Sequence, residues 1–135
     1  MKYLVLLLVP FFLSPPAFPP DMAAAPCVVY PAALNRFQIR DAWKQNNKRW
    51  FSGKLPELKP DNIRFVNLGD NLATVTCNDE PRLSIDTRIQ FSDFVIRQLL
   101  LHEMAHVSSK DCVHGPYFQR EMRRLVVAGA WDELL

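Results

Sequence analysis

Apolar residues recur at helical spacing between residues 32 and 51 of the chain. Positions three and four residues apart share one side of a helix, so they predict a mostly apolar stripe. The stripe consists of Ile39, Trp43, Asn46 and Trp50. A second stripe is basic, with a positive side chain every four residues, at Arg36, Arg40, Lys44 and Lys48. This basic stripe is typical of a solvated face, and binding along a phosphate backbone is the alternative.

Three short apolar runs follow this helix and predict a small sheet. Ser52-Gly53 is expected to end the helix, and the prolines Pro56 and Pro60 favour an extended stretch after it. Turn-forming segments rich in Gly, Asn and Asp separate the runs. The predicted strands are Ile63 to Leu68, Leu72 to Cys77 and Arg82 to Ile85.

Two more helices are predicted after the strands. The first has Ser92 as its N-cap and runs to about Ser108, with an apolar side made by Val95, Leu99, Leu100 and Met104. Gly115-Pro116 favours the start of the second, because proline suits the first position of a helix. Its expected buried side chains are Phe118, Met122, Leu125 and Val126. The pattern therefore predicts an α+β domain with an N-terminal helix, a three-stranded sheet, a central helix and a C-terminal helix.

The first 29 residues have a different composition. Lys2 precedes an apolar run from Tyr3 to Leu13, which as a helix would span only about 16 Å of a membrane core of roughly 30 Å. Seven of the 11 prolines then lie between Pro10 and Pro31. We expect residues 1–29 to be a signal peptide-like leader with a proline-rich linker, and residues 30–135 to be one domain. This predicts a secreted or periplasmic protein; a membrane-tethered or a cytoplasmic protein is the alternative.

The charge balance limits the choice of partners. With 16 basic and 14 acidic side chains, the net charge is +2, which is too small to indicate nucleic acid by itself. DNA is therefore a less favoured partner than a protein or peptide, and we expect a monomer.

All three histidines of the chain lie close together in the sequence. His102, Glu103 and His106 form an HExxH motif, and on a helix the spacing of four places both imidazoles on one face, where both can bind one Zn²⁺. His114 follows after a segment that can extend over roughly 25 Å, so it can return to the same ion. Three imidazoles and one open position are typical of a catalytic zinc site. Glu121 and Cys112 are the alternatives for the third ligand.

The cysteines give a further hypothesis. In an oxidising compartment, Cys77 and Cys112 could form a disulfide between the sheet and the segment that carries His114; two buried free thiols are the alternative. For Tyr117 and Phe118 we predict core packing, and for Tyr117 an oxyanion role is the alternative.

The residues from His102 to His106 (His-Glu-Met-Ala-His), followed by those from His114 to Phe118 (His-Gly-Pro-Tyr-Phe), resemble the SprT-like, or Spartan-like, zinc metalloprotease family. In that family an HExxH helix is followed by a third ligand in an HGxxF motif. The segment from Trp50 to Pro56 is similar to the family's aromatic-Gly-Lys-Leu-Pro segment. The resemblance covers roughly residues 34–126. It implies a zincin-like α+β fold, zinc on His102, His106 and His114, and Glu103 as the catalytic carboxylate.

The expected function follows from this site. A zinc-activated water would attack a peptide bond, with Glu103 as the general base. The best-known family members cleave proteins cross-linked to DNA, so a DNA-dependent protease is one alternative. A non-catalytic metal-containing binding module is another, and the presence of Glu103 disfavours it.

Overall fold

The computed structural model describes residues 32–132, and the predicted leader and linker lie outside this range. The described residues form an α+β structure with three helices and one mixed sheet. In chain order the elements are α1 (Arg36–Trp50), β1 (Ile63–Val66), β2 (Ala73–Val75), β3 (Leu83–Asp86), α2 (Asp93–Ser109) and α3 (Pro116–Val127). Within residues 32–132, no helix combines the length and the apolar character that crossing a membrane requires.

Helix α1 begins at Arg36, four residues later than its apolar pattern suggested. A capping box sets this start: the Asn35 side chain accepts from the Gln38 backbone N–H at 3.0 Å, and the Gln38 side chain accepts from the Asn35 backbone N–H at 2.8 Å. Such reciprocal bonds satisfy N–H groups that have no partner inside the helix. The predicted apolar stripe is correct at its centre, where Ile39 and Trp43 are buried.

The basic stripe of α1 lies largely in solvent. Arg36, Lys44 and Lys48 are exposed. The Arg40 guanidinium is paired with the neighbouring Asp41 carboxylate at 2.7 Å, which neutralises part of the stripe. Exposed cations fit both a solvated face and binding along a phosphate backbone.

The segment after α1 is tied back to the helix. Its turn contains Ser52 and Gly53, both with positive φ. The Asn47 side chain then donates to the Leu55 carbonyl at 2.9 Å and accepts from the Leu55 N–H at 3.0 Å. The indole N–H of Trp43 donates to the Pro56 carbonyl at 3.1 Å. These bonds guide the chain from α1 toward the sheet.

The sheet has the strand order β1-β3-β2. β1 runs parallel to β3, with Ile63 opposite Leu83, and β2 runs antiparallel to β3, with Val75 opposite Leu83. Leu83 and Ile85 of the central strand are buried and belong to the same core as Leu100, Leu101 and Met104 of α2. All three strands exist as predicted. β1 and β2 are shorter than their apolar runs, because residues at the ends of the runs belong to the turns, and β3 has the predicted length but lies one residue later.

A buried carboxylate holds the end of the central strand. Asp86 accepts hydrogen bonds from the backbone N–H groups of Leu68 and Arg88, each at 2.9 Å, and from the Arg88 guanidinium at 2.7 Å. The same guanidinium also donates to the Gly69 carbonyl. Because the carboxylate accepts these bonds in its charged form, they hold the pKa of Asp86 well below its ordinary value of 3.8. Asp86 thus joins the turn after β1 to the turn that precedes α2.

We expect Asp86→Asn to lower the melting temperature by several degrees at pH 7, because asparagine replaces the charged acceptor by a neutral amide. A carboxyl whose pKa is lower in the folded than in the unfolded state stabilises the fold fully at pH values above the unfolded-state pKa. This stabilisation is lost as the pH falls through the folded-state pKa. The difference in melting temperature between wild type and Asp86→Asn should therefore be constant above about pH 5 and should shrink below about pH 4. Thermal unfolding followed by circular dichroism from pH 7 to pH 2 measures it. A difference that is the same at every pH would contradict this role of the charge.

The ends of α2 and α3 follow the predicted signals. The Ser92 side chain caps α2 by accepting from the Val95 N–H, and Pro116 occupies the first turn of α3. Phe118 and Leu125 are buried, and Met122 is partly buried. The prediction for Val126 was wrong, since it is 57% exposed. At about 100° per residue, Val126 lies roughly 80° around the helix from Phe118, which places it at the edge of the buried face.

Candidate metal centre

The helix that carries the HExxH motif is the most deeply buried of the three helices. Leu100, Leu101, Met104 and Ala105 of α2 are each at most 2% exposed, so the helix is covered on more than one side. Its turns bring His102 and His106 to one face, with ring centroids 5.1 Å apart. The motif is therefore presented by a rigid scaffold.

The chain then turns back so that the third histidine meets the other two. α2 ends at Lys110, which adopts the left-handed conformation with φ 54°. We call residues 110–115 the metal loop. The loop brings the His114 Nε2 atom within 3.1 Å of the His102 Nε2 atom, and the candidate ligand atoms of all three histidines lie within 4.8 Å of one another.

This geometry fits a metal ion. Two nitrogens that each lie about 2.05 Å from one tetrahedral zinc are separated by roughly 3.4 Å. The distance of 3.1 Å between His102 and His114 is close to that value. The three-histidine cluster, His102, His106 and His114, could therefore hold one ion.

The backbone selects the tautomer of one ligand. The Nδ1 of His106 lies 2.6 Å from the Asp111 carbonyl oxygen. A carbonyl oxygen can only accept, so Nδ1–H donates and Nε2 keeps its lone pair for a metal. Orientation of this kind by an outer partner is typical of metal-bound histidines.

Phe118 packs against the whole three-histidine cluster. Its ring stacks on His106 with centroids 4.1 Å apart, and it meets His114 at 4.8 Å and His102 at 5.0 Å. The predicted core packing of Phe118 is confirmed, and its neighbours in the core include the imidazoles. Core packing was the wrong prediction for Tyr117, which is 64% exposed, with the Arg120 guanidinium 5.7 Å from its ring centroid.

Burial favours uncharged imidazoles. It lowers the pKa of His102 to about 4, and the neighbouring His106 and His114 add to this effect. Burial also lowers the pKa of His106. A metal binds neutral imidazole, so near neutral pH the side chains of His102 and His106 are in the uncharged form that a ligand needs.

Glu103 directly follows His102 on α2 and lies in an apolar environment. It is 5% exposed and lines a small space together with Ala73 of β2 and Leu83 of β3. Burial raises the pKa of its carboxyl to about 7. No hydrogen bond to this carboxyl occurs among residues 32–132. A carboxyl with a pKa near 7 and no hydrogen-bond partner among these residues is suited to exchange a proton with a bound water.

The two alternative third ligands are engaged elsewhere. The Glu121 carboxylate accepts from the Ser108 hydroxyl at 2.8 Å and from the Arg124 guanidinium at 2.6 Å. Cys112 forms a disulfide with Cys77, so neither cysteine is a thiolate in this structure. The hypothesis of a bridge between the sheet and the segment of His114 is confirmed in this structure.

Asp111 is a residue that the sequence analysis missed. Its carboxylate accepts from the Val113 N–H at 3.2 Å and from the Phe118 N–H at 3.3 Å, so it spans the metal loop and caps α3. A Cβ on Gly115 would lie 2.6 Å from the Asp111 Oδ2, so any larger residue there requires the Asp111 carboxylate to shift. The N-cap of α3 is Gly115, and Asp111 lies four residues before it, so the preference of Asp for the N-cap position gave no signal for this residue.

We expect Asp111→Ala to weaken zinc binding by about 10- to 100-fold, as loss of an outer-shell partner typically does. Competition with a chromophoric chelator measures the affinity. Gly115→Ala should also weaken binding, because its Cβ would push the Asp111 carboxylate away. The double variant should lose less than the sum of both effects, since the clash disappears with the carboxylate. Asp79→Ala, in an exposed turn, is the control and should bind zinc like the wild type.

Additive losses in the double variant would contradict this role of Asp111.

Comparison of the chain with known protein families, with curated proteins and with solved structures finds no match.

Proposed function

We propose that this protein is a zinc-dependent metallopeptidase of the SprT-like type with a zincin-like fold, comprising residues 30–135. The observation that carries the proposal is the convergence of three imidazoles, two of them on the same helix that carries the buried carboxyl of Glu103. His102, His106 and His114 would be the metal ligands. A ligand set of imidazoles alone with an open position suits catalytic zinc better than Mg²⁺ or Ca²⁺, which prefer oxygen.

The chemistry assigns separate tasks to the residues. The three histidines would hold a zinc ion, which would supply a Lewis acid that acidifies water and polarises a peptide carbonyl. Glu103 accepts the proton of the attacking water and later returns it to the departing amine. Asp111 holds His106 in the required tautomer through its backbone carbonyl, and Phe118 packs the imidazoles into place.

The sheet supports a peptide as the substrate class. Among the described residues, β2 pairs only with β3, so its other edge has free backbone donors and acceptors. An open edge of this kind can bind an extended peptide as an additional strand. Ala73 of β2 lines the same small space as Glu103, so a peptide on this edge would pass close to the general base.

The disulfide supports the proposed location. Disulfides form and persist mainly in oxidising compartments, so the bond between Cys77 and Cys112 favours a secreted or periplasmic protein. A protein retained at the membrane by its leader fits the same observation. The cytoplasmic alternative fits it less well.

The experiment is cleavage of an unfolded protein by the zinc-loaded chain, with Glu103→Gln as the blank. Cleavage that a chelator abolishes and that zinc restores is expected. Parallel reactions contain single-stranded DNA at low and high salt. Activity that depends on DNA and falls with salt would identify the DNA-dependent alternative, which would use the exposed cations of α1. Binding of zinc without cleavage of any protein or peptide substrate would contradict the proposal and favour a binding module.

A further inference from the structure

The metal loop has few apolar anchors of its own. Val113 is 70% exposed, and Lys110, Cys112 and His114 are exposed as well. The His114 ring contacts Phe118, with ring centroids 4.8 Å apart, but the rest of the loop gains little from hydrophobic burial. The loop is held mainly by the polar bonds of Asp111, by the bond from the Gln119 side chain to the His114 carbonyl and by the disulfide at Cys112.

The disulfide connects this loop to the end of the sheet where hydrogen bonds hold the chain after β2. Cys77 lies two residues after the end of β2. The residue between them, Thr76, donates its N–H to the Arg82 carbonyl at 3.1 Å. The Arg82 N–H donates in turn to the Thr76 hydroxyl at 2.8 Å. The Cα atoms of the two cysteines lie 5.7 Å apart, and 35 positions of sequence separate them. The bond thus restrains the metal loop by joining it to the segment after β2, which is distant from the loop and from α2 and α3 in the sequence.

Residues on both sides of Cys112 in the loop serve the candidate metal centre. Asp111, directly before it, accepts the hydrogen bond that orients His106. His114, two residues after it, is the third member of the three-histidine cluster. A restraint at Cys112 therefore acts on two of the three histidines together, whereas movement of the loop would displace both.

The disulfide is also accessible to reductants from solvent. Cys112 is exposed and Cys77 is half-buried. A thiolate of a small reductant can attack one sulfur, form a mixed disulfide and release the other cysteine as a thiolate. A second thiol then resolves the mixed disulfide. Two electrons and two protons pass to the protein, and the reductant leaves as its own disulfide.

We propose that the Cys77–Cys112 disulfide is a redox lock on the three-histidine cluster: the oxidised chain retains its metal, and reduction releases the metal loop and lowers the affinity. This deepens the proposed function, because it rests on the same metal centre and adds its regulation. In an oxidising compartment the lock would be closed, and the enzyme would gain its full metal affinity only after its disulfide has formed.

The test compares zinc affinities by competition with a chromophoric chelator, without any substrate. The full chain carries Cys27→Ser, so that only one cysteine pair can react. Three forms are compared: oxidised protein, protein reduced by a phosphine, and the double variant Cys77→Ser/Cys112→Ser. A phosphine is used because dithiols themselves bind zinc; it is converted to its oxide with water as the oxygen source and leaves two protein thiols.

We expect the double variant and the reduced protein to bind zinc about 10- to 100-fold more weakly than the oxidised protein, the usual cost of losing an outer-shell support. Circular dichroism of the metal-free forms checks that all three are folded. If the double variant does not fold, the rate of zinc release after addition of phosphine to the folded wild type replaces it, and release faster than in untreated protein is expected.

Affinities that agree within about twofold across the folded forms would overturn the proposal. So would tighter binding after reduction, which would mean that the Cys112 thiolate joins the metal. Both outcomes are separate from failure of the peptidase assignment: oxidised protein that binds zinc tightly but cleaves nothing contradicts the peptidase and leaves the redox lock supported by its affinities.

Discussion

The Glu103→Gln protein is expected to lose peptide cleavage by about 100- to 10,000-fold, the usual contribution of a general acid-base group, and to bind zinc as well as the wild type. Glutamine has nearly the same shape but cannot accept the proton of the attacking water. The three histidines remain in place because the substitution touches none of them. Cleavage rates of an unfolded protein and chelator competition measure the two effects separately.

The fold should tolerate this change. Burial raises the pKa of Glu103 to about 7, so the charged form is disfavoured in the folded state. A raised carboxyl pKa means that stability falls as the pH rises through the range between the unfolded-state and folded-state values. A neutral glutamine avoids this loss, so the melting temperature of Glu103→Gln at pH 8 should equal or exceed that of the wild type.

Glu57→Gln is the matched control, because it makes the same chemical change on an exposed side chain of the segment beside α1. It should leave both cleavage and zinc binding unchanged. Full activity of Glu103→Gln would remove Glu103 from the mechanism. Loss of zinc together with activity would instead show that Glu103 supports the metal centre itself.

His114→Ala should weaken zinc binding more than the loss of an outer-shell partner does, which costs about 10- to 100-fold. The reason is that it removes one of three candidate ligands. The two imidazoles left on α2 cannot complete the set. Cleavage should fall in parallel, and excess zinc should restore part of it. Chelator competition and zinc content after gel filtration measure the effect.

Glu121→Gln separates the two assignments of the third ligand. Glu121 bonds to Ser108 and Arg124, so its loss should lower the melting temperature slightly through the contact between α2 and α3. Zinc affinity should stay within about twofold of the wild type, since an outer-shell loss would already cost 10-fold. If Glu121→Gln loses as much zinc affinity as His114→Ala and the latter retains binding, Glu121 is the third ligand instead.

The sequence by itself was sufficient to predict the local features of this protein, such as helix ends and the residues that share a helix face. Helix α2 was predicted from its Ser92 cap to its end near residue 108, because capping and helical periodicity depend on residues a few positions apart. The spacing of four between His102 and His106 fixes both imidazoles on one face for the same reason. The start of α3 at Pro116 follows from the fixed φ of proline.

Tertiary structure alone decided the features that join distant residues. The order β1-β3-β2, with one parallel pair, depends on which strands share a core with α2, and turn signals carry no such information. The choice between a disulfide and free thiols at Cys77 and Cys112 depended on the approach of the sheet to the metal loop. The roles of Asp86 and Asp111 arise because folding removes each carboxylate from bulk water to some degree and places it among backbone N–H groups that need an acceptor. Such needs exist only once the chain is folded.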